Sequence, residues 1–476
     1  MRNNASLSIQ NPAASAISSE KLPVVFLLIL HVLLAFLMRQ YQIVATLHAL
    51  LTFTIGVGFA LFGKDEKKVV YIAAYITGAE ILWRMNQANV FWEFGKYATI
   101  PILIVAFLRS HSSHARNAGL PILYFVFLCI SIPLTIAHFG FTKQAQDAIS
   151  FNLSGPLALA VCTLYFSQLR LSLDDLKSAA WSMVFPIFSI FTLALYGTVT
   201  ANYIYFTEES NFLTSGGYGP NQVSAILGLG AVMMLLVFLT EKRKPRQLAA
   251  LLLAIALLAQ SALTFSRGGL LNAAICTSVL ALHYFFNQEG RSRLFFGIFA
   301  LLLIGAYIVY PQLNEFTGGS ITLRFSDLDT TGRLELAQAD IAIWQDNFLW
   351  GVGPGVSAYV MPKYIGKFAA AHTEFTRILA EHGFFGLISL VILVILAIKA
   401  YFSAPDWQSK AWTAAFIAWS FAEMGHSAMR IVAISFMFGL AFAVKFQTAK
   451  TTVPEIEKVR EFGKSKKREA FSSINR

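Results

Sequence analysis

The sequence predicts an all-α, polytopic integral membrane protein, and three observations lead there. Hydrophobic residues make up 56% of the 476-residue chain, and the mean hydropathy is +0.60. Charged residues contribute only 13%, too few to cover a water-soluble globule of this size, so the chain belongs in a bilayer. The apolar residues come in continuous runs near the ~20-residue length of a spanning helix. A lipid-embedded barrel would instead show alternation over about ten residues.

Taken in order, the apolar runs are Leu22–Met38, Val44–Phe62, Val69–Trp83, Tyr97–Leu108, Leu120–Ala137, Ile149–Phe166 and Ala180–Thr198 in the first half. The second half adds Val223–Leu239, Leu248–Phe265, Leu270–Phe286, Leu294–Tyr310, Phe384–Tyr401, Ala411–Phe421 and Ile431–Phe446. The runs at Tyr97 and Ala411 are short, so 12–14 transmembrane helices are expected.

A net charge of +11 would suit a nucleic-acid partner, but the basic residues sit in short loops after every second run. That is the pattern of the positive-inside rule, and no nucleic acid is expected. Lys64, Lys67 and Lys68 occupy one loop, Arg109 and Arg116 the next, then Arg170 and Lys177, then Lys242, Arg243, Lys244 and Arg246, then Arg291 and Arg293. The tail adds Lys464, Lys466, Lys467 and Arg468, a cluster suited to anionic lipid headgroups. All fall on one side, which puts both termini in the cytoplasm. The loop from Thr200 to Pro220 falls on the other side and carries only Glu208 and Glu209.

The expected organisation is a disordered N-terminal stretch over 1–21, a transmembrane bundle over 22–310, one long outer loop over 311–383, C-terminal spans over 384–446 and a basic tail over 447–476. The stretch to Glu20 lacks a signal-peptide cleavage pattern, so the first span is expected to stay as an anchor. Cys129, Cys162 and Cys276 lie within apolar runs at spacings that suit neither a metal site nor a disulfide framework.

Titratable residues concentrate in the outer segment, with Arg324, Arg333, Lys363, Lys367, His372, Glu374, Arg377 and Glu381. Leu334, Ala337, Ile341, Trp344 and Phe348 recur at helical spacing and predict an amphipathic helix on the membrane face, broken by Gly351-Val352-Gly353-Pro354-Gly355. That glycine run reads as a turn, with a phosphate cradle as the alternative. Ala371 to Gly383 reads as a helix ended by glycine, with Glu374, Arg377 and Glu381 on one face as a surface ion-pair triplet. His372 lies near the start of that helix, where the macrodipole holds an imidazole neutral. It is either a general base or a satisfied surface group.

Phe265-Ser266-Arg267-Gly268-Gly269 puts a guanidinium at the outer membrane boundary, aimed at a ligand or snorkelling to lipid phosphate. Glu80, Arg84 and Arg430 also lie near outer ends of runs, and Glu80 with Arg84 has ion-pair spacing. Arginines converging on one outer site would form an anion receptor, and the anion natural to that location is a lipid diphosphate. Asp327-Leu328-Asp329 is read as a turn, and neither a metal nor another cofactor is expected.

In order and spacing, Gly219-Pro220-Asn221-Gln222, Ser266-Arg267-Gly268-Gly269, Thr331-Gly332-Arg333, the glycine run, His372 and Glu381-His382-Gly383-Phe384-Phe385-Gly386 resemble the bacterial O-antigen ligase and O-antigen polymerase superfamily of membrane glycosyltransferases. The family commonly has His-Asn where this chain has His372-Thr373.

The resemblance implies a GT-C-like fold in the bacterial inner membrane and a metal-independent, inverting transfer at the periplasmic face. A saccharide would pass from undecaprenyl diphosphate to a lipid, glycan or protein hydroxyl. His372 would be the general base, Arg267, Arg333, Arg324 and Arg84 would hold the diphosphate, and Arg377, Glu374, Glu381 and Asn221 would support them. A lipid-linked saccharide transporter is the alternative from another class, but no internal repeat is visible and the polar residues gather at one face.

Overall fold

The computed structural model of the protein describes residues 24–110, 119–207, 209–288, 290–326 and 332–446. The expectations for the N-terminal stretch, for Asp327-Leu328-Asp329 and for the basic tail lie outside these residues. The first half forms α1 (Val24–Gln40), α2 (Gln42–Phe62), α3 (Lys67–Met85), α4 (Phe94–Arg109), α5 (Gly119–Cys129), α6 (Ile132–Phe139), α7 (Lys143–Phe166) and α8 (Leu173–Thr200). The bundle continues with α9 (Pro220–Thr240), α10 (Lys244–Leu263), α11 (Gly268–Phe285) and α12 (Arg291–Ile304), which runs through a π turn into α13 (Tyr310–Phe316). Then come α14 (Ser320–Ser326), α15 (Arg333–Asp346), the single turns α16 (Ser357–Val360) and α17 (Pro362–Ile365), and the closing helices α18 (Glu374–Ser403), α19 (Trp407–Ser427) and α20 (Val432–Ala443).

The fold is all-α, and every apolar run read from the sequence lies on one of these helices. Nine described helices are long and apolar enough to cross a membrane, with α5 and α6 counting as one and α12 and α13 as another; α1 and α20 are shorter apolar helices. The remaining runs fall on α3, α4 and α19, and these three carry buried charge. Glu80 and Arg84 on α3 and Lys96 on α4 are buried, as are Glu93 just before α4 and Glu423 on α19. Lys96 pairs with Glu93, and Arg84 pairs with Glu80 at 2.6 Å and Glu93 at 3.6 Å. Charges inside a bilayer-embedded bundle persist only when paired or functional.

Helix α9 is the core, with 94% of its most apolar window buried, and it packs against α8, α10 and α11. Asp175 completes a capping box with Ser172 at the start of α8 and pairs with Lys67 at 3.0 Å. That bond holds the start of α8 beside the start of α3. The described basic loops meet at this end of the bundle. Lys64, Lys67, Arg170 and Lys445 line one cleft, Arg109 donates to Ala60 O at 3.0 Å, and Arg293 donates to Leu239 O at 2.7 Å. Arg84 lies about 25 Å along α3 from Lys67, at the opposite end, together with His372 and Arg430.

Three local expectations are corrected. Helix α18 begins at Glu374 and continues to Ser403, so Gly383 (φ +60) kinks the helix instead of ending it. The outer helix is present as α15, but its buried face is Leu336, Ala339, Asp340 and Ile343, packed on Met361 and Ala380. Leu334 and Phe348 of the expected stripe remain exposed. Glu374, Arg377 and Glu381 do form an ion-pair triplet, yet all three are buried, because α18 enters the bundle ten residues earlier than its apolar run begins.

Candidate functional site

The turn between α10 and α11 anchors the site. Phe265 adopts φ +57, a conformation that a bulky side chain rarely takes and that is held only where the surroundings enforce it. Its carbonyl accepts from Arg324 Nε at 2.9 Å, while Arg267 donates back to Arg324 O from Nε at 3.1 Å and from Nη2 at 2.6 Å. Ser266 Oγ donates to Asn221 Oδ1 at 2.8 Å, so Asn221 braces the turn from the first turn of α9. Two of the expected arginines are thereby fixed side by side.

The glycines after Arg267 admit close neighbours. A Cβ on Gly269 would strike Ser224 of α9, and one on Gly268 would fall on the His426 imidazole of α19. His426 Nδ1 lies 2.5 Å from Arg333 Nη1 at the start of α15. A guanidinium only donates, so this ring nitrogen accepts. One turn before His426, buried Glu423 accepts from Asn272 and Ser427. Arg333 forms no ion pair with a described carboxylate. Burial first, then the charge of Arg324, and beyond it those of Arg267 and Arg430, pull its pKa down against the opposing pull of Glu423. Four guanidinium groups thus share one field, and that field is what an anion would neutralise.

His372 sits at the edge of this field, partly buried, two residues before α18. Its pKa is lowered to about 4, by burial first and then by Arg430 and Arg333. Burial and two cations thus push this ring's pKa in the direction that a neutral imidazole requires. The ring forms no hydrogen bond with a described residue. Thr373 caps α18, its side chain accepting from Phe375 N at 3.2 Å. Asparagine is an equally good N-cap, so the His-Thr departure keeps the same backbone function.

Other expected residues are committed elsewhere. Arg84 also donates to Trp92 O at 2.9 Å and to Gln222 at 3.3 Å, which leaves its guanidinium inside the fold. Arg377 is held by both oxygens of Glu374, at 2.5 and 3.0 Å, and by Glu381 at 2.5 Å. The glycine run spends its N–H groups on α18. Where Gly383 breaks the helix, Val352 N donates to Ala380 O at 3.0 Å and Gly353 N to Glu381 O at 2.9 Å. Glycines at 351 and 383 let the two backbones meet, since a Cβ on Gly383 would lie 2.5 Å from Gly351 N. The run repairs a broken helix, and those two N–H groups are not free to hold a phosphate.

An apolar groove of about 450 Å³ opens beside the arginines, between α10, α11, the α12–α13 helix and α14. Leu258, Leu270, Leu302, Tyr310, Ile321 and Phe325 line it, the last two flanking Arg324 on α14. Residues 252–391, which include Arg267, Arg324, Arg333 and His372, match the family model described as O-antigen ligase.

Over this stretch the chain is similar to O-antigen ligases. The match supports O-antigen ligase or polymerase-type function in general, the same family that the sequence motifs resemble. No curated protein matches the chain. The O-antigen ligase match stops short of Glu423, His426 and Arg430, which the fold brings to the same place. Sequence reading passed over Glu423 and His426 because the apolar run was closed at Phe421. The available signal was an ionisable pair one turn apart on a helix of the bundle.

Proposed function

We propose that the protein transfers a glycan from a polyprenyl diphosphate to an acceptor hydroxyl at the periplasmic face of the bacterial inner membrane. The observation that carries this reading is a neutral histidine set beside a cluster of arginines at the mouth of an apolar groove. The groove takes the polyprenyl chain. Arg267, Arg324 and Arg333 meet the diphosphate, and His372 takes the acceptor proton. The acceptor oxygen then bonds to the anomeric carbon from the face opposite the diphosphate, giving inversion. The electrons of the breaking carbon–oxygen bond pass to the diphosphate, where preorganised guanidinium groups stabilise the charge by several kcal/mol.

Substrate charge tunes the base. In the free protein burial first, and then Arg430 and Arg333, lower the His372 pKa to about 4. The two negative charges of a bound diphosphate diester offset those cations and move the imidazole toward the working pH, where a general base is most effective. Activity is lost as pH falls through the pKa of the base. The acid limb of kcat, which reports the complex, is therefore expected at higher pH than that of kcat/KM, which reports the free protein. Coincident limbs would count against the proposed coupling.

Sidedness is supported by the gathering of basic loops at the end of the bundle remote from His372, since cytoplasmic loops carry the excess of Lys and Arg. With both termini cytoplasmic, the residue 311–383 segment faces the periplasm.

The test is reconstitution of purified protein with a polyprenyl-diphosphate-linked glycan and acceptor. Glycoside product and free polyprenyl diphosphate should rise together, and donor turnover without glycoside would overturn the reading. Arg333→Lys should lower kcat/KM for the donor by about 10- to 100-fold, because a point charge replaces a planar fork. Unchanged donor dependence would remove Arg333 from the site.

A further inference from the structure

At the end of the bundle remote from His372, a cleft of about 540 Å³ lies between the residues leading into α3, the link from α7 to α8 and the chain leaving α20. Four basic residues line it, Lys64, Lys67, Arg170 and Lys445, together with two acidic ones, Asp65 and Glu66. The transfer chemistry proposed above uses none of them.

Backbone bonds fix two of these cations on one face. Leu171 N donates to Ala443 O at 2.8 Å, and Leu171 and Val444 form an isolated parallel bridge. Phe446 N donates to Ser409 Oγ at 2.9 Å, and Ser409 Oγ in turn donates to Asp406 at 2.6 Å. The chain leaving α20 is thereby tied down on both sides. Successive side chains of an extended segment point to opposite faces. Leu171, Val444 and Phe446 are buried, so Arg170 and Lys445 turn the other way, into the cleft.

Internal pairing does not use up this charge. Lys67 is committed to Asp175 at 3.0 Å, and the Asp65 carboxylate accepts from Lys67 N at 3.0 Å. Lys64, Arg170 and Lys445 form no ion pair with a described carboxylate. Like charges held by a tethered backbone repel each other until an anion sits between them. A planar guanidinium beside an ammonium suits the oxygens of a phosphate.

The surroundings favour a lipid phosphate over a free one. Lys64 and Glu66 also line a second cleft, of about 380 Å³, whose apolar walls are Phe59 and Ala60 of α2, Val69 of α3 and Ala106 of α4. Phe62 and Leu108, each next in sequence to a residue of that cleft, are 80% and 76% exposed. A basic cleft beside an apolar rim matches a phospholipid, which presents its phosphate and its acyl chains at one boundary.

We propose that the cleft binds the headgroup of an anionic phospholipid, with Arg170 and Lys445 on its phosphate, Lys64 beside them and the acyl chains along the ends of α2 and α4. The proposal goes beyond the transfer reading and does not depend on it. A lipid bound there clamps the ends of α3, α8 and α20 together, so stability reports its presence.

The experiment uses the full-length protein in nanodiscs of phosphatidylcholine, with or without phosphatidylglycerol. The parent should melt at a higher temperature with phosphatidylglycerol, and native mass spectrometry should show that lipid retained in preference to phosphatidylcholine. The double variant Arg170→Gln, Lys445→Gln should bind phosphatidylglycerol about 30-fold more weakly, since each basic residue near an anionic surface contributes about fivefold. It should also lose the melting gain. In phosphatidylcholine alone it should melt no lower than the parent, because only repulsion has been removed. Lower melting there would make the two residues structural and overturn the proposal. The double variant Lys242→Gln, Lys244→Gln removes the same charge from another basic loop and should keep phosphatidylglycerol binding within about twofold of the parent. An equal loss in this control would reduce the effect to general surface attraction and sink the site. Inorganic phosphate added to phosphatidylcholine discs separates the two sources of the anion. No melting gain is expected from it, and a gain matching that of phosphatidylglycerol would give the cleft to a soluble phosphate and overturn the lipid assignment.

Discussion

His372→Ala is expected to lower glycan transfer by about 10²- to 10⁴-fold, the range a positioned general base contributes. Abundance and thermal stability in detergent should stay at the parent level. The physical reason is that the imidazole is partly exposed and bonds to no described residue, so its removal orphans no buried partner. Quantified product from membranes with matched protein levels decides the point. Full transfer would reject the role outright, and loss of transfer together with loss of folded protein would reassign His372 to structure. Thr373 is a useful contrast. Thr373→Ala removes the α18 cap and should cost about 1 kcal/mol of stability while leaving the chemical step in place.

Arg377→Met is expected to have the largest effect on stability. The substitution leaves Glu374 and Glu381 buried without their cation, and breaking a buried pair from one side costs about 3–5 kcal/mol. Against the marginal stability of folded proteins that is enough to lower the yield of folded protein sharply. The combined variant Glu374→Gln, Arg377→Met, Glu381→Gln removes every charge at once and should recover most of the folded yield, because a buried triplet contributes little net stability over neutral replacements. Thermal melting of the two purified variants tests this. Equal melting temperatures for Arg377→Met and the parent would show that the triplet is solvated, contrary to its burial.

The membrane character of the chain was legible because it follows from composition and run length, which are properties of the linear sequence. The same holds for the helices themselves. Every apolar run lies on a helix, since a segment of about twenty apolar residues has no other way to satisfy its backbone in lipid. The motif string around Arg267, Arg333 and His372 led to the same family that the domain match gives. Other features were not legible in that way. Hydropathy places the start of α18 at Phe384 because Glu374, Arg377 and Glu381 read as polar, and only their mutual pairing lets a charged turn begin the helix inside the protein. The glycine run likewise looks like a turn until the kink at Gly383 supplies the carbonyls that its N–H groups meet.

Sequence by itself determined the solvent the chain lives in, the helical class and the cluster of titratable residues that sets the search for chemistry, because each depends on local composition and period. Tertiary structure decided which of those residues share a site. Arg84, on α3, turns inward to Glu80 and Glu93, whereas Arg430 and His426, about a hundred residues beyond Arg333, come to stand beside it. Charge at a given position is a local property. Whether that charge is cancelled within the fold or left facing a ligand depends on which helix ends are packed together, and that packing is settled by contacts far apart in the chain.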